Sequence, residues 1–181
     1  MLLNSFIQQI VAIKDKIWIN FRNKMTHNLT PKTISASRIQ LAQLMQPEHA
    51  NNHGNVHGGW IMKLVDEAGA LACMLHYQSK VVTVAIDSMT FRNPIRIGDL
   101  VILNAEVSYA GHTSMETEVQ VIAENPITGE RTTTNTAYLV YVALDDDNKP
   151  QPVPQLLAET EGQKQRMVQA KERQAYRIAQ K

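Results

Sequence analysis

Cysteine is nearly absent from this chain, which has one in 181 residues, and glycine and aromatic residues are sparse. A single cysteine excludes a disulfide framework within the chain and any zinc site built from several cysteines. No apolar run approaches the roughly 20 residues of a membrane-spanning helix, so no stable membrane insertion is expected. The absence of a Gly-x-Ser-x-Gly elbow and of a glycine-rich phosphate loop argues against serine hydrolases of the elbow type and against nucleotide-hydrolysing enzymes.

An excess of charge of one sign is also lacking, because 18 basic and 17 acidic side chains give a net charge of +1. The chain therefore has no global basic field, and no nucleic-acid partner is expected. The distribution is uneven, since residues 25–154 carry eight basic and thirteen acidic side chains between two basic ends. We divide the chain into an N-terminal extension at 1–30, a domain at 31–148, and a linker with a charged helical tail at 149–181.

The N-terminal extension has apolar residues at three- and four-residue spacing between Leu2 and Phe21, which is the pattern of an amphipathic helix. Its basic residues would suit a membrane surface or an organelle-targeting presequence. A third reading places it outside the working protein, since Met25 offers an alternative translation start. It does not match a secretory signal, because its charges follow the apolar residues and no small-residue cleavage site closes the run.

The domain at 31–148 combines one long apolar helix with about five strands. From Trp60 the apolar residues follow helical spacing around most of the circumference, which indicates a buried helix. Short connections between the strands favour antiparallel pairing. The predicted fold class is α+β, with the sheet curled around the helix. Alternating or β-branched runs place the strands at 33–44, 81–91, 100–109, 113–123 and 132–144.

The chain after Leu144 is rich in aspartate and proline as far as Pro154, which indicates a turn and an extended linker. Residues 155–181 are rich in Glu, Gln, Lys, Arg and Ala and have only a weak apolar stripe. This composition predicts a charged C-terminal helix that is solvated and partly frayed.

Three histidines, His49, His53 and His57, are spaced four residues apart, which on a helix would place three imidazoles on one face for a metal. The intervening asparagines and glycine favour a loop instead, so no metal site is expected. Cys73 could act as a nucleophile beside His76. Its place in the apolar helix favours a small core residue.

Two adjacent carboxylates, Asp66 and Glu67, interrupt the helix that is otherwise expected to be buried. Lys63 stands four residues before Glu67 and can pair with it along the helix, whereas Asp66 has no partner at such a spacing. Asp66 therefore belongs either to a polar strip that faces solvent or another subunit, or to a cleft in which it acts as a general base. Gly58 and Gly59, just before the helix, offer backbone N–H groups that suit a polarised carbonyl or an anion.

Residues 51–70, NNHGNVHGGWIMKLVDEAGA, resemble the hot dog acyl-CoA thioesterases of the cytosolic acyl-CoA hydrolase type. Residues 91–99, FRNPIRIGD, are similar to the second signature of that family, and the likeness extends from about Ser35 to Leu144. The resemblance implies a hot dog fold, in which an antiparallel sheet wraps a long central helix. It also implies a homodimer with active sites between the protomers, assembled as a trimer of dimers.

The same resemblance implies hydrolysis of acyl-CoA to a free fatty acid and coenzyme A in the cytoplasm, with no metal and no cofactor beyond the coenzyme A of the substrate. Asp66 and Asn51 match the family's functional pair, one on the helix and one on the preceding loop of the partner domain. Asp66 would activate water or attack the thioester directly, and Asn51 would orient the water or the thioester. The thioester carbonyl would rest against backbone N–H near Gly59. Arg92 and Arg96 would meet the phosphates of coenzyme A or remain solvated.

Two other functions are open to a hot dog domain. One is a non-catalytic acyl-CoA sensor, although such regulators usually carry an added DNA-binding segment and residues 1–24 contain no helix-turn-helix pair. The other is an acyl-CoA dehydratase, which typically employs a histidine with the carboxylate and for which His57 is the nearest candidate. Release of free thiol from acyl-CoA distinguishes the three.

Overall fold

The computed structural model describes residues 29–180, which form a five-stranded antiparallel sheet with one long helix on each face. The helices are α1 (Gly58–Tyr77) and α2 (Glu161–Ala179), and two short 3-10 helices span Ser35–Ser37 and Pro47–His49. The strands are β1 (Lys32–Thr33), β2 (Ile39–Leu44), β3 (Val81–Ser88), β4 (Leu100–Ala110), β5 (Ser114–Glu124), β6 (Arg131–Ala143) and β7 (Leu156–Leu157).

The large sheet has the order β2-β4-β5-β6-β3, and all of its neighbouring strands are antiparallel. Strands β4, β5 and β6 follow one another as a meander because short turns connect them. Helix α1 separates β2 from β3 along the chain, and these two strands lie at opposite edges of the sheet. This arrangement confirms the α+β prediction and leaves β3, which follows α1, as an edge strand.

The predicted first strand at 33–44 is wrong in one respect, because a 3-10 helix interrupts it. Ser37 lies in that helix, and its hydroxyl donates a hydrogen bond to the Ile34 carbonyl at 2.7 Å. The same hydroxyl accepts the N–H of Val107 in β4 at 2.9 Å. The Ser37 side chain thus accepts the Val107 N–H in place of a backbone carbonyl, and regular pairing of β2 with β4 begins only at Ile39.

Helix α1 packs closely on the sheet at its middle, where its buried face has small residues. Ala68, Ala72 and Cys73 are fully buried there, which confirms the reading of Cys73 as a core residue. The helix ends where Gln78 adopts the left-handed conformation, with a φ of 61°. Lys32 donates to the His76 carbonyl at 2.7 Å and so satisfies one of the carbonyls of the last turn.

Helix α2 lies on the outer face of the sheet. Most of its residues are exposed, as the prediction of a solvated helix requires, but that prediction missed the contacts of the helix with the strands. Its basic side chains reach acidic side chains on the strands, as in the ion pairs of Arg166 with Glu106 and of Arg173 with Glu116. Ala170, on the side of the helix that faces the sheet, is fully buried. Because ion pairs hold much of this helix on the sheet, the helix does not need a strong apolar stripe.

The linker between the sheet and α2 is also anchored, since β7 pairs in parallel with β1. The interpretations of the N-terminal extension fall on residues 1–28, which lie outside the described residues. Among residues 29–180, no helix is both long enough and apolar enough to cross a membrane.

Candidate active site

Asp66 lies half-buried between α1 and the sheet, where two hydroxyl groups reach it. Its Oδ1 accepts hydrogen bonds from the Thr83 hydroxyl at 2.7 Å and from the Tyr141 hydroxyl at 3.2 Å. Asp66 therefore has no partner on its own helix, as expected, but it has two on the sheet. Its second oxygen, Oδ2, accepts no hydrogen bond from the described part of the chain. That oxygen is available to a reactant.

Thr83 and Tyr141 are two site residues that sequence reasoning missed. They are direct partners in the β3–β6 ladder, so their side chains leave the sheet on the same face, toward α1. Thr83 lies 17 positions after Asp66, and Tyr141 lies 75 positions after Asp66. No local sequence pattern therefore links either residue to Asp66. The one available signal is weak: Thr83 is the single hydroxyl residue in the apolar run at 81–86.

Asn51 lies on the loop before α1, and its side chain organises that loop. Its Oδ1 accepts the backbone N–H of His53 at 2.8 Å and that of Asn55 at 3.2 Å, as in an Asx-turn. The side-chain amide nitrogen donates no hydrogen bond to any residue between 29 and 180. The loop therefore fixes Asn51 with its N–H donors unused.

The start of α1 provides one free backbone donor. The Nδ1 of His57 accepts the N–H of Gly59 at 2.9 Å and so caps the helix. The N–H of Gly58 has no acceptor within the described chain. The prediction of free amide groups thus holds for Gly58 but not for Gly59. His57, the candidate of the dehydratase alternative, serves here as a helix cap.

Two neighbouring grooves flank the loop that carries Arg92 and Arg96, and both arginines are exposed. A groove of about 260 Å³ is lined by Arg92 together with Asn51 and Gly58. A second groove of about 230 Å³ is lined by Arg96 and Asp99. The backbone N–H of Arg96 donates to the Asp99 carboxylate at 2.8 Å, which shapes the loop beside this groove.

The structure brings Asn51, Gly58 and Arg92 together around one groove, but it does not bring Asp66 into that groove. Asp66 lies eight residues beyond Gly58, which places it about 12 Å further along the helix axis. A single chain thus presents the donors and the carboxylate at two separate places along α1.

The histidine cluster does not form a metal site. His49 stacks on Trp60 with ring centroids 4.3 Å apart, and its Nδ1 accepts the N–H of Gln46. No group of three or more potential ligands that could hold a metal occurs among the described residues. Burial raises the pKa of the Cys73 thiol well above its usual range, so this side chain is a poor nucleophile.

Comparison with known proteins gives one family. The sequence model of the Thioesterase superfamily matches residues 53–130. The chain is 37% identical over 134 residues to YkhA of Bacillus subtilis, an uncharacterized acyl-CoA thioester hydrolase, with 73% of this chain and 78% of that protein covered. It is 36% identical over 148 residues to the cytosolic acyl coenzyme A thioester hydrolase of Mus musculus, covering 81% of this chain. It spans only 39% of the length of that mouse protein.

Solved structures agree with the sequence relatives. An acyl-CoA hydrolase of Staphylococcus aureus, in complex with butyryl coenzyme A and coenzyme A, is 35% identical with a TM-score of 0.77, covering 82% of this chain and 91% of that one. Structures of the same hydrolase include variants in which an Asp, an Asn or a Thr is replaced by Ala. An apo-hexameric acyl-CoA thioesterase is 37% identical with a TM-score of 0.80, covering 83% of this chain and 97% of that one.

Proposed function

This chain belongs to the thioesterase superfamily and has the hot dog fold of the acyl-CoA thioester hydrolases, and we propose that it hydrolyses fatty acyl-CoA to a free fatty acid and coenzyme A. The observation that carries the proposal is the half-buried carboxylate of Asp66, with one oxygen held by two hydroxyl groups and the other open. In the reaction, the oxygen of water attacks the thioester carbonyl carbon. The carbon–sulfur bond then breaks, and coenzyme A leaves as the thiol.

Asp66 acts as the general base of this reaction. Its open oxygen, Oδ2, takes a proton from the attacking water and later returns it to the departing sulfur. Direct attack by Asp66 to form a transient anhydride is the second candidate mechanism. A single turnover in ¹⁸O-labelled water separates them: a general base sends all of the label into the fatty acid, whereas hydrolysis of an anhydride at the aspartyl carbonyl leaves label in the peptide that carries Asp66.

Two N–H groups of the groove stabilise the charge that develops on the carbonyl oxygen. The backbone N–H of Gly58 has no acceptor among residues 29–180 and lies at the positive end of α1. Asn51 lines the same groove, and its side-chain amide donates no hydrogen bond within the described residues. Such donors contribute most in a site that excludes water, because they do not reorganise during the reaction. The Gly59 amide takes no part in this role.

The coenzyme A part of the substrate follows the loop of Arg92 and Arg96. A guanidinium group matches phosphate oxygens in both geometry and charge, and these two arginines line adjacent grooves. Arg92 shares its groove with Asn51 and Gly58, so a phosphate there keeps the nucleotide end close to the carbonyl donors. The chemistry needs no metal and no cofactor other than the coenzyme A of the substrate.

The complete site forms between two copies of the chain. Strand β3 lies at the edge of the sheet and carries exposed valine and isoleucine side chains, and the neighbouring face of α1 exposes leucine and methionine side chains. Pairing of this edge with a second copy covers that surface and places Asp66 of one protomer near Asn51 of the other. The named hexamer among the solved structures supports a trimer of such dimers. A cytoplasmic location is proposed from the name of the mouse relative.

The Staphylococcus aureus variants support the assignment of the site. The positions of the Asn, the Asp and the Thr in that enzyme are separated by 15 and 17 residues. Asn51, Asp66 and Thr83 have the same two separations in this chain. The coincidence of both spacings supports all three residues as members of one site.

The proposal is tested by measuring free thiol released from a series of acyl-CoA esters. The wild-type protein is expected to release thiol, and Asp66→Asn is expected to lower kcat by at least about 100-fold because the general base is lost. Glu67→Gln is the matched control, since it removes the adjacent carboxylate, which is exposed and bonded to Lys63 at 2.6 Å. Acyl-CoA binding without thiol release would indicate the sensor, and hydration of an enoyl-CoA would indicate the dehydratase.

A further inference from the structure

We propose that Tyr141 is a positioning residue for Asp66: its hydroxyl, together with that of Thr83, holds one carboxylate oxygen so that the other faces the attacking water. This inference rests on the proposed thioesterase function. It assigns a role to a side chain that lies in the core and touches no substrate.

The backbone register makes the two hydroxyl groups a pair. Thr83 and Tyr141 face each other across the β3–β6 ladder, and the ladder has a bulge directly after Thr83. Bulges often redirect side chains next to active sites. Both hydroxyl groups end at Oδ1 of Asp66, at 2.7 and 3.2 Å, and neither reaches Oδ2. Thr83 makes the shorter bond to Oδ1, and the single proton of the Tyr141 hydroxyl is shared between Oδ1 and the backbone oxygen of Asp66, so the carboxylate is tied to the sheet at that oxygen from two directions.

Tyr141 is held more firmly than Thr83. Its ring is fully buried in the core, whereas Thr83 lies on the exposed edge strand. Its hydroxyl also lies 2.9 Å from the backbone oxygen of Asp66, so it contacts both the side chain and the backbone of that residue. Tyr141 thereby joins the carboxylate to the rigid centre of the sheet.

Helix α1 is shaped to admit the Tyr141 hydroxyl. A Cβ atom at Gly69 would overlap that oxygen and would fall 2.8 Å from the hydroxyl oxygen of Thr117. Only a residue without a side chain allows this approach. A glycine in the middle of a helix costs about 1 kcal/mol relative to alanine. The close contact with Tyr141 explains why a glycine occupies this helical position.

The Tyr141 hydroxyl is protonated and acts as a donor near neutral pH. Burial raises its pKa well above the usual range for tyrosine, and the negative charge of Asp66 raises it further. The hydroxyl therefore stays protonated beside the carboxylate. It holds Asp66 in place and does not exchange a proton with it.

The experiment compares Tyr141→Phe with Tyr138→Phe in steady-state kinetics. Each variant removes one phenol hydroxyl from β6 and keeps the ring, but Tyr138 faces α2, where Arg173 lies over its ring. Tyr141→Phe is expected to lower kcat about 10- to 100-fold and to leave KM within about twofold, because it misplaces the base without changing the binding groove. Tyr138→Phe is expected to keep the wild-type kcat.

The pH profile adds a readout that a merely structural role would not move. Tyr141→Phe removes a hydrogen bond to the charged carboxylate, so the acid limb of the kcat profile should move to higher pH. Replacement of Tyr141 by 4-aminophenylalanine keeps a donor at the same place and should restore much of kcat. This variant also serves if phenylalanine prevents folding.

The outcomes separate the two proposals. A wild-type protein that releases no thiol overturns the proposed function, and the positioning role falls with it. An active wild type with a Tyr141→Phe variant of unchanged kcat overturns the role of Tyr141 alone. A loss confined to KM, or a failure of the amino analogue to recover more activity than phenylalanine, also overturns that role.

Discussion

Arg173 of α2 and Glu116 of β5 form an ion pair in which the carboxylate is almost fully buried. The Nη2 of Arg173 lies 2.7 Å from Oε1 of Glu116, and the guanidinium also lies over the ring of Tyr138. Arg177 reaches the second oxygen of Glu116 at 2.9 Å, and the hydroxyl of Ser108 donates to the first at 2.9 Å. The C-terminal helix is therefore joined to the outer face of the sheet at one shared carboxylate.

Loss of Arg173 should destabilise the protein more than loss of a surface charge on the same helix. Arg173→Met leaves the buried Glu116 with one arginine, and we expect a cost of about 2 kcal/mol in the free energy of unfolding. Lys164→Met is the control, because the pair of Lys164 with Glu161 is mostly exposed and contributes about 0.5 kcal/mol or less. Urea unfolding at one fixed protein concentration measures both, and equal effects would contradict the buried-pair interpretation.

The sequence could predict the elements but not this contact. Helix α1 and strands β4, β5 and β6 have regular apolar periodicities, and their predicted bounds agree with the structure to within a few residues. Helix α2 lacks such a period, and composition alone suggested a solvated helix. Its ion-pair partners on the strands lie 48 or more positions away, as between Arg166 and Glu118, and charge pairs leave no periodic signal in the sequence.

Gly69 should tolerate no side chain. Gly69→Ala gains helix propensity, but its methyl group would overlap the Tyr141 hydroxyl, so we expect a lower melting temperature and a loss of kcat of at least about tenfold. Gly162→Ala on α2 is the matched control, because no atom lies within 4 Å of its new methyl group. Thermal unfolding and thiol release are measured on both variants. A fully active, fully stable Gly69→Ala protein would rule out the close contact.

Stability should fall in mild acid because of His76. Burial is the main cause that lowers the pKa of His76, while its hydrogen bond to the Pro154 carbonyl at 2.8 Å opposes the shift. The unfolded chain therefore binds a proton below about pH 6.5 before the folded chain does, and stability decreases as the pH falls from there.

His76→Gln keeps a donor for Pro154 but cannot titrate, so its unfolding free energy should change less between pH 7.5 and pH 5.5 than that of the wild type. His112→Gln, at an exposed position, is expected to keep the wild-type slope. Urea unfolding at the two pH values makes the comparison. A His76→Gln protein with the wild-type slope would show that another group causes the loss.

The site residues that lie close together in the sequence could be predicted, whereas those that only folding brings to Asp66 could not. Asp66 stood out as a carboxylate in an apolar helix, and the resemblance of residues 51–70 to a known family added Asn51. Which of Gly58 and Gly59 has a free backbone N–H could be decided only from the structure, because the Gly59 N–H donates to the His57 ring. Thr83 and Tyr141 required it too, since strand register brings them to Asp66.

We propose that Asn51 of one protomer and Asp66 of the other complete each active site. In one chain, Asn51 lines a groove with Gly58 while Asp66 lies about 12 Å further along α1. The most direct measurement mixes Asn51→Ala and Asp66→Ala proteins, each nearly inactive alone, and follows thiol release after subunit exchange. Mass spectrometry of differently tagged chains confirms that exchange has occurred.

A mixed dimer holds one site that lacks both residues and one intact site. Random exchange of equal amounts makes about half of the dimers mixed, so the activity should rise to about one quarter of that of the wild type. With exchange demonstrated, a mixture no more active than the separate variants would contradict a site shared between two protomers.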